Sequence, residues 1–592
     1  MTTGTPERML RVNLSTGAIK SEQVPAHWQR RFIGGKGLGA RYLYKELDAG
    51  TDPLGPNNVL LFMTGPLSGL LPDDPRYAAI TKSPLTGAFL DSYSGGTFAG
   101  NLAGALGDHL GLLVSGHADE PAIIELEDGN ATITPAGDVW GMDAVEACHA
   151  FPDAAVACIG SAGEHRIGFA TIASDGAEHH AGRGGAGAVM GAKRLKAIVA
   201  KGDRPDDLPE LRAEYVDRYR EDDVGKWQRV SGTLETVDFA NEVGVLSTRG
   251  WQQGQFEKTD DIGIEAAHEA ATEREHKNGS IPGGFRIETD EGTYVPRGAT
   301  AMSLGAELGI DEFDMIVAVG ETCDRLGVDV ISAGNAVAWA IRASQNDVID
   351  REFGFGDAEA ARTLIEEIAT RATPLGDALA DGVAAAIATF GGENLVPTVK
   401  AMELPAYDPR GAKGMALAYA TSDRGGCHRR ARPVETEVFG EDWTDEDRVR
   451  IVVTEQNIRS VLWSLIADDF IGEVLWDDLG AEWLAAVGRE YDPGELWLVG
   501  ERVWTLIRLF NVREGFSKED DSLPEVFTEP LSGGPTDGHS IDPAAFESLR
   551  ERYYAVRDWS DAGYPTRTLL DRLDLTDAVD DQTPIAEHSI GQ

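Results

Sequence analysis

Glycine-rich loops beside arginine are the first feature of this sequence that could do chemistry, because they can bind an anion. Glycine lets backbone N–H groups approach a phosphate closely, and arginine adds charge-assisted hydrogen bonds. Arg76 and Arg183 lie in or near such loops. The loops are IGGKGLGA at Ile33–Ala40, TGPLSG at Thr64–Gly69, SGG at Ser94–Gly96 and AGRGGAGAVMGAK at Ala181–Lys193. Each alone is more often a plain turn, but together they predict a site for an anionic cofactor.

The spacing within the last loop argues against a dinucleotide. Its glycines follow the pattern Gly185-x-Gly187-x-x-x-Gly191, which is not the Rossmann fingerprint. The predicted anionic cofactor is therefore of another kind.

The four cysteines of the chain, Cys148, Cys158, Cys323 and Cys427, are widely spaced, and no two form a Cys-x-x-Cys pair. This spacing does not match the cysteine motif of an iron–sulfur cluster. It also provides no disulfide framework, so a reducing, cytoplasmic location is expected. Cys148 and Cys158 are predicted to be small buried core residues.

The charge balance is strongly acidic. Asp and Glu total 99 against 53 Lys and Arg, which gives a net charge of -46 at pH 7, and only 13 of the basic residues are lysine. Such an acidic, lysine-poor surface suits a protein that stays soluble in high salt, so we expect salt adaptation. It also repels phosphates, which disfavours nucleic acid as a partner. No apolar run approaches the roughly 18–20 residues of a membrane span, and no secretory signal is visible.

Two changes in composition divide the 592 residues into three parts. The first part has short apolar runs bounded by turn residues and is predicted to be β-rich with short helices. Boundaries are expected in the polar segment Gly202–Leu211 and near Leu404–Pro409. Apolar residues at three- and four-residue spacing predict helices at Ala213–Tyr219, Phe313–Leu326, Ala333–Ser344, Ala358–Thr370, Glu455–Ile466 and Glu501–Phe510. The predicted fold class is α+β, with domains at residues 1–205, 206–405 and 406–592.

Several motifs, in order along essentially the whole chain, resemble the aldehyde ferredoxin oxidoreductase family. They are the loop Ile33–Ala40, TKSPLTG at Thr81–Gly87, the run Ala181–Ile198, CDRLGVD at Cys323–Asp329, the run Tyr407–His428, NVREGF at Asn511–Phe516 and the run Arg557–Thr566. The resemblance implies an N-terminal β domain that forms the base for a tungsten, or sometimes molybdenum, ion held by two pterin dithiolenes. Two helical domains would cover this cofactor. It also implies a [4Fe–4S] cluster, ferredoxin as electron acceptor and commonly a homodimer.

The resemblance assigns roles to single residues. Those that match positions beside the pterin phosphates are Arg76, Gly95, Gly96, Arg183, Gly184 and Gly185; those that match a pterin-binding motif are Asp324, Gly327, Val328 and Asp329. In that motif a carboxylate accepts hydrogen bonds from the pterin N–H edge, although Asp324 or Asp329 could instead cap a helix. Tyr93 replaces an asparagine whose backbone carbonyl would help to hold a magnesium ion. His428 matches a histidine that exchanges a proton with the substrate oxygen; its alternative role is a core histidine bonded to a carbonyl.

Three family features are missing. The second pterin motif, Asp-x-x-Gly-Leu-Cys, aligns with Trp463-Ser464-Leu465-Ile466-Ala467-Asp468. The four cluster cysteines align with Asn278, Ile281, Phe285 and Asp468, so the cluster is expected to be absent. Ala299 replaces a glutamate near the metal.

These features leave two functional hypotheses. The leading one is a divergent, salt-adapted oxidoreductase that converts an aldehyde, or a related oxo substrate, to the acid at a tungsto- or molybdopterin. Without the cluster, electrons would pass directly to an acceptor at the pterin edge. The alternative is a non-catalytic cofactor-binding scaffold or a partner subunit of an intact paralogue, and a changed non-redox activity also stays open. The retained Arg76, Asp324 and His428 favour catalysis, because a pure scaffold has no chemical need for them.

Overall fold

Two six-stranded sheets form the N-terminal part of the chain, in a computed structural model that describes residues 6–72, 75–276, 282–440, 442–467, 472 and 474–590. The strands are β1 Arg8–Asn13, β2 Ala18–Gln23, β3 Leu60–Met63, β4 Tyr77–Lys82, β5 Phe89–Ser94, β6 His109–Ser115, β7 Ala122–Glu127, β8 Asn130–Pro135, β9 Ala155–Cys158, β10 Ile172–Ser174, β11 His179–Ala181 and β12 Leu195–Lys201. The helices are α1 Ala26–Phe32, α2 Gly35–Glu46, α3 Thr97–Leu106, α4 Ala144–His149, α5 Ser161–Glu164 and α6 Ala186–Ala192.

The two sheets enclose one apolar core between them. Their strand orders are β2-β1-β6-β3-β4-β5 and β11-β10-β9-β12-β7-β8, and the pairs β1–β6 and β7–β12 are parallel. Alternation along β3 shows how both faces of the first sheet are used, because successive side chains point to opposite sides. Leu60 and Phe62 face the core between the sheets, whereas Leu61 and Met63 face a second core shared with C-terminal helices. Strand β3, inside the first sheet, is therefore buried on both faces.

The middle part is mainly helical. Its helices are α7 Pro209–Glu221, α8 Asp223–Ser231, α9 Glu235–Glu242, α10 Thr259–Ile262, α11 Ile264–Ala270, α12 Gly298–Thr300, α13 Phe313–Leu326, α14 Val330–Gln345, α15 Ala358–Thr370, α16 Pro374–Leu379 and α17 Val383–Phe390, with a π-helix at Ala301–Ala306. Its strands are β13 Ala271–Arg274, β14 Phe285–Thr289, β15 Gly292–Tyr294, β16 Thr398–Val399 and β17 Met402–Glu403. Two of the helices predicted from the sequence, α13 and α15, have the predicted bounds.

The C-terminal part packs two long helices against the first sheet. Its elements are α18 Lys413–Ala420, α19 Val434–Glu437, α20 Asp445–Leu465, α21 Ala481–Ala486, α22 Pro493–Arg513, α23 Pro543–Val556 and α24 Arg567–Arg572, with short 3₁₀ turns at Glu525–Thr528 and Thr576–Ala578. Capping boxes start α20 at Thr444 and α22 at Asp492, and each supplies an acceptor to the free N–H groups of the first turn. Both helices contribute to the core on the outer face of the first sheet.

This arrangement confirms the predicted α+β class, with a β-rich first part followed by helical parts. The predicted boundary at residue 205 falls between β12 and α7, and the division into three domains stays a prediction. In the described part of the chain, we find no helix with the length and apolar character needed to cross a membrane.

Candidate cofactor-binding cavity

A cavity of about 1120 Å³ lies where the three parts of the chain meet. It is slightly larger than the roughly 300–1,000 Å³ of ordinary ligand pockets, so it has room for a large cofactor together with a substrate. Of the residues predicted from the sequence, it is lined by Arg76, Gly95, Arg183, Asp324, Val328, Asp329 and His428. The remaining predicted glycines, Gly96, Gly184, Gly185 and Gly327, shape the segments that carry these residues.

Residues 183–185 all have left-handed backbone conformations, and the first of them, Arg183, lines the cavity. The φ angles are 70° at Arg183, 70° at Gly184 and 85° at Gly185. A Cβ on Gly185 would lie 2.3 Å from the carbonyl oxygen of Gly168, so the loop requires glycine there. For Arg183 the same backbone region costs about 1–3 kcal/mol, and strain of this kind clusters at functional sites.

Because Gly96 has no side chain, the carboxylate of Asp175 can lie close to its backbone beside the cavity wall. It has φ 86°, and a Cβ on it would lie 2.0 Å from Oδ2 of Asp175. Asp175 Oδ1 accepts a hydrogen bond from the backbone N–H of Phe98 at 3.2 Å, so a carboxylate from a distant loop caps the start of α3. The preceding residue, Gly95, and Arg76, just before β4, both line the cavity.

Asp324 lies in the last turn of α13 and lines the cavity. Gly327, with φ 75°, ends the helix in the left-handed conformation. Asp324 Oδ1 lies 3.4 Å from Nε2 of His180. Burial raises the pKa of Asp324 well above its ordinary value and lowers the pKa of His180 to about 4, so His180 is neutral at pH 7. In either protonation state the carboxyl group of Asp324 can accept a hydrogen bond.

Asp329 has two roles in the structure. Its Oδ2 accepts a hydrogen bond from the backbone N–H of Ser332 at 2.9 Å and thereby caps α14, which is the alternative role considered from the sequence. The same oxygen lies 3.4 Å from Nε of Arg183. Asp329 therefore also positions the arginine that lines the cavity.

Three arginines that line the cavity have buried N–H groups for which the described residues provide no hydrogen-bond acceptor. These groups are Nη1 of Arg183, Nε of Arg424 and Nη1 of Arg430. The three side chains belong to residues that are 5%, 4% and 1% exposed. A buried donor without an acceptor costs about 1–3 kcal/mol, so an anionic ligand at these groups would be stabilising. The residues present therefore fit the phosphate of a pterin cofactor.

Sequence reasoning did not single out Arg424 and Arg430. They flank the predicted His428 in the run Arg424-Gly-Gly-Cys-His-Arg-Arg430, and this concentration of arginine in an acidic chain was the available signal. Arg183 Nη2 donates to the carbonyl oxygen of Gly426 at 3.0 Å, which joins this run to the glycine loop. The two arginine-bearing segments are thus joined by a hydrogen bond.

A buried charge cluster fixes Arg430 beside the cavity. Lys36 Nζ donates to Asp91 Oδ2 at 2.9 Å and to Asp423 Oδ2 at 2.5 Å. Arg430 Nε donates to Asp423 Oδ1 at 2.7 Å, and its Nη2 donates to Asp91 Oδ1. These four side chains are at most 3% exposed. Burial opposes ionisation of Asp423, but Arg430 and Lys36 outweigh it and lower the pKa of this carboxyl.

Lys36, a member of that charge cluster, belongs to the first glycine-rich loop, Ile33–Ala40. A glycine of this loop allows two helices to pack closely. The loop forms the start of α2, and a Cβ on Gly35 would lie 2.3 Å from the carbonyl oxygen of Trp463, at the end of α20. The absence of a side chain on Gly35 lets the two helices approach closely. The loop therefore supports the cavity through Lys36.

Tyr407 and His428 lie next to each other on the cavity wall. Their ring centroids are 5.7 Å apart, with an angle of 49° between the ring planes. Burial raises the pKa of Tyr407 to about 12, so its hydroxyl stays protonated at neutral pH. Such a pair can donate a hydrogen bond to a substrate oxygen and exchange a proton with it. Tyr407 was not predicted as a site residue, although it begins one of the family-like motifs.

Cys427, next to His428, lies in an electropositive environment. Arg424 Nη2 donates to its Sγ at 3.1 Å. Burial raises the pKa of the thiol, but the positive charges of Arg424, Arg430 and Arg183 outweigh that effect, so the net pKa is lowered. The arginines therefore make this thiol easier to deprotonate than a buried thiol without cationic neighbours.

Ala299 also lines the cavity, at the position where the family has a glutamate. It belongs to α12, which continues directly into the π-helix at Ala301–Ala306. Single π-helical turns are frequent at functional sites. The methyl group of Ala299 cannot exchange a proton.

Of the four positions that align with the family's cluster cysteines, the structure describes Phe285. Phe285 lies in β14, is 4% exposed, and contacts the ring of His268 at 4.8 Å between centroids. The guanidinium of Arg274 stacks 4.2 Å from its ring centre. Phe285 is therefore a packed core residue. The other three positions, Asn278, Ile281 and Asp468, lie outside the described residues.

The four cysteines are all buried and are distributed over three places. Cys148 and Cys158 lie in an apolar cluster with their Sγ atoms 3.4 Å apart, which confirms their prediction as core residues. Cys323 is inside α13, and Cys427 lines the cavity. Within the described ranges, no group of three or more His, Cys, Asp or Glu side chains is placed to hold a metal ion.

Comparisons with known proteins identify a family for this chain, and the family is consistent with its α+β fold and its arginine-lined cavity. The family model for the aldehyde ferredoxin oxidoreductase N-terminal domain matches residues 9–202, and the model for domains 2 and 3 of the same family matches residues 210–575. The chain therefore belongs to the aldehyde ferredoxin oxidoreductase family, a family of oxidoreductase enzymes.

Individual relatives match along almost their whole length. The tungsten-containing aldehyde ferredoxin oxidoreductase of Pyrococcus furiosus is 34% identical over 604 residues, which cover 96% of this chain and 99% of the relative. The enzyme of the same name from Thermococcus kodakarensis is 33% identical over 611 residues, with 96% and 99% covered. An aliphatic sulfonate oxidoreductase, WOR-like subunit, of Pyrococcus furiosus is 24% identical over 640 residues, with 96% and 97% covered.

A solved structure shares the fold. The active-site complex BamBC of benzoyl coenzyme A reductase, determined with 1,5-dienoyl-CoA, superimposes with a TM-score of 0.80. The sequences are 22% identical, and the match covers 98% of each chain. At this identity the likeness establishes the architecture alone.

Proposed function

We propose that this chain oxidises an aldehyde, or a related oxo substrate, to the acid with a tungsto- or molybdopterin bound in the cavity. The observation that carries the proposal is the set of buried N–H groups on Arg183, Arg424 and Arg430. Because the chain as a whole carries a net charge of -46, an arginine-rich wall inside it needs a specific reason. An anionic cofactor supplies that reason, and the tungsten-containing relatives support its chemical class.

Residues of the cavity wall would bind two parts of the proposed cofactor, its phosphates and the edge of its pterin ring. Arg76 and Arg183 would hold the pterin phosphates through charge-assisted hydrogen bonds. Asp324 would bind the N–H edge of the pterin ring from the end of α13. When bound, the cofactor supplies a two-electron redox centre, and the protein supplies binding, orientation and electrostatics.

The protein's own contribution to the reaction is proton transfer. Oxidation of an aldehyde to its acid breaks the C–H bond, forms a C–O bond with an oxygen from water, and releases two electrons and two protons. Tyr407, protonated at neutral pH, would donate a hydrogen bond to the substrate oxygen and so polarise the carbonyl group. His428, beside it, would accept a proton released as the C–O bond forms.

We propose that the electrons leave without the family's cluster, directly to an acceptor that reaches the cavity. The segment that would carry three of the cluster cysteines instead contributes Glu275, His276, Gly283 and Gly284 to the cavity wall. Glu275 binds Arg297 through two hydrogen bonds of 2.7 and 2.8 Å and lies 3.2 Å from His179. This ionic network and the packed Phe285 support an exit without thiolate ligands.

We also propose that the protein works in the cytoplasm of a cell with a salt-rich interior. The excess of 99 acidic over 53 basic residues supports the salt-rich setting, because mobile ions screen the mutual repulsion of the carboxylates. The four cysteines without disulfides support a reducing compartment.

The proposal is tested by replacing Arg183 with glutamine and measuring aldehyde-dependent reduction of a viologen dye, together with bound pterin. Each lost hydrogen bond to a charged group is worth about 1.5–3 kcal/mol, so we expect pterin binding to weaken about 10-fold to 150-fold. Arg194→Gln is the matched control: Arg194 is exposed, also has a left-handed backbone (φ 53°), and carries the same charge in the same part of the chain. Equal pterin content in both variants would contradict the proposal. A normal cofactor content without aldehyde oxidation in the wild type would favour the scaffold hypothesis.

A further inference from the structure

Two of the four cysteines lie in contact with each other, and the proposed chemistry uses neither of them. Sγ of Cys148, in the last turn of α4, is 3.4 Å from Sγ of Cys158, the last residue of β9. Neither residue lines the cavity. The other buried members of their apolar cluster are Ile, Val and Ala side chains. The two sulfur atoms would have to approach by about 1.3 Å to reach the S–S bond length of about 2.05 Å.

The two thiols differ in exposure and in acidity. Cys148 is 9% exposed and Cys158 is 0% exposed, so a small oxidant reaches Cys148 first. Hydrogen bonding from Cys158, and from the backbone N–H groups of Gly176 and Ala177, lowers the pKa of Cys148, although burial opposes this effect. The same contact between the thiols, together with burial, raises the pKa of Cys158. Because the thiolate is the form that reacts, Cys148 is the more reactive of the two.

The second sheet connects this pair of cysteines to the cavity wall. Cys158 on β9 is paired with Ala173 on β10, and Ala173 is paired with His180 on β11, which lines the cavity. The turn between β10 and β11 donates the backbone hydrogen bonds to Cys148. In the same turn, the carbonyl oxygen of Ala177 lies 2.8 Å from Nε2 of His180. A movement of the Cys148 sulfur therefore acts on a turn that is attached to the cavity wall.

We propose that Cys148 and Cys158 are a redox-modification site, which hydrogen peroxide converts to a disulfide that loosens the turn between β10 and β11. The Cys148 thiolate attacks a peroxide oxygen and gives a sulfenic acid and hydroxide, which takes up the proton released by the thiol. The Cys158 thiol then attacks the sulfenic sulfur, forms the S–S bond and releases water. The two thiols lose two electrons and two protons, and one peroxide becomes two water molecules. A dithiol reverses the change by disulfide exchange.

Peptide mapping of the wild-type protein tests for the disulfide, independently of any bound cofactor. Reduced protein is treated with hydrogen peroxide, its remaining thiols are alkylated in denaturant, and the chain is cut before Asp153, which lies between the two cysteines. We expect the peptides that carry Cys148 and Cys158 to stay joined, and to separate after treatment with dithiothreitol. Cys323→Ala, which removes another buried cysteine, should keep this linkage. Separate peptides after peroxide treatment, with Cys148 alkylated or oxidised to sulfinic acid, would overturn the inference and leave the proposed function intact.

Hydrogen exchange of backbone amides tests the effect on the turn. In the disulfide, the Cys148 sulfur is displaced toward Cys158 and can no longer ionise, so the N–H groups of Gly176 and Ala177 lose a good acceptor. We expect segment 175–178 to exchange about 2-fold to 10-fold faster in the oxidised protein, as one weakened hydrogen bond predicts. The turn at residues 128–129, between β7 and β8 at the opposite edge of the same sheet, is the control and should exchange equally in both forms. Equal exchange of segment 175–178 in the two forms would overturn the proposed effect on the turn.

Discussion

Replacing Glu307 with glutamine should change how the stability of this protein depends on pH. Glu307 directly follows the π-helix whose residues Met302 and Ser303 line the cavity, and it is 1% exposed. Its Oε2 accepts a hydrogen bond from the Ser247 hydroxyl at 2.5 Å, while its Oε1 has no hydrogen-bond partner among the described residues. Burial raises the pKa of this carboxyl from 4.5 to about 8, with smaller opposing effects from nearby Arg342.

The sign of the effect follows from proton binding. The folded chain keeps the Glu307 proton up to about pH 8, whereas the unfolded chain releases it near pH 4.5. Between these values the folded state binds more protons, so the free energy of unfolding falls as pH rises. The slope is about 1.4 kcal/mol per pH unit, and the full window corresponds to about 5 kcal/mol. Between pH 6 and pH 8 the wild type should therefore lose about 2 kcal/mol that Glu307→Gln retains, because the folded carboxyl itself begins to ionise near pH 8.

The assay compares thermal midpoints at pH 6 and pH 8 at one fixed scan rate, since a chain of this size can unfold irreversibly. Infrared difference spectroscopy adds a direct test, because the protonated carboxyl of Glu307 should disappear near pH 8 in the wild type only. Glu265→Gln, at an exposed position in α11, is the matched control for the change in charge. A Glu307→Gln midpoint that stays at a constant distance from the wild type at both pH values would refute the reasoning.

Three further predictions concern the glycine loop, the surface and the proton-exchanging pair. Gly185→Ala should destabilise the protein by at least about 2 kcal/mol, because its Cβ would meet the Gly168 carbonyl at 2.3 Å; Gly137→Ala, at a glycine with open space around it, should not, as thermal midpoints will show. Raising KCl from about 0.1 to about 2 M should raise the thermal midpoint, because screening reduces the repulsion behind the net charge of -46; an unchanged midpoint would contradict salt adaptation. Tyr407→Phe should lower the rate of viologen reduction about 100-fold with normal bound pterin, and an unchanged rate would exclude Tyr407 from the reaction.

Local signals explain why some elements could be predicted from the sequence. Helices α13 and α15 have the predicted bounds because their apolar periodicity ends at clear stop and start signals. Gly327 adopts the left-handed conformation that ends α13, and the side chain of Asp357 accepts a hydrogen bond from the N–H of Ala360 at the start of α15. The predicted residues Arg76, Asp324 and His428 line one cavity because the family-like motifs fix the fold that brings them together.

Long-range contacts explain what the sequence did not predict. Lys36 donates to Asp423 across 387 positions of the chain, and no local pattern encodes such a pair. Arg424 and Arg430 acquire their role only because that cluster holds them beside the cavity. Gly35 was predicted to approach a phosphate, yet its missing side chain makes room for the backbone at the end of α20. A glycine-rich pattern indicates a close approach and does not specify which group approaches.

The metal and pterin content of the purified protein tests the central claim, that the arginine-lined cavity binds a metal–pterin cofactor. The protein should be produced in a host that makes the cofactor, with tungstate and molybdate supplied. We expect about one tungsten or molybdenum ion per chain together with pterin, and no iron with acid-labile sulfide, in line with the missing cluster cysteines. A folded protein with neither metal nor pterin would contradict the account.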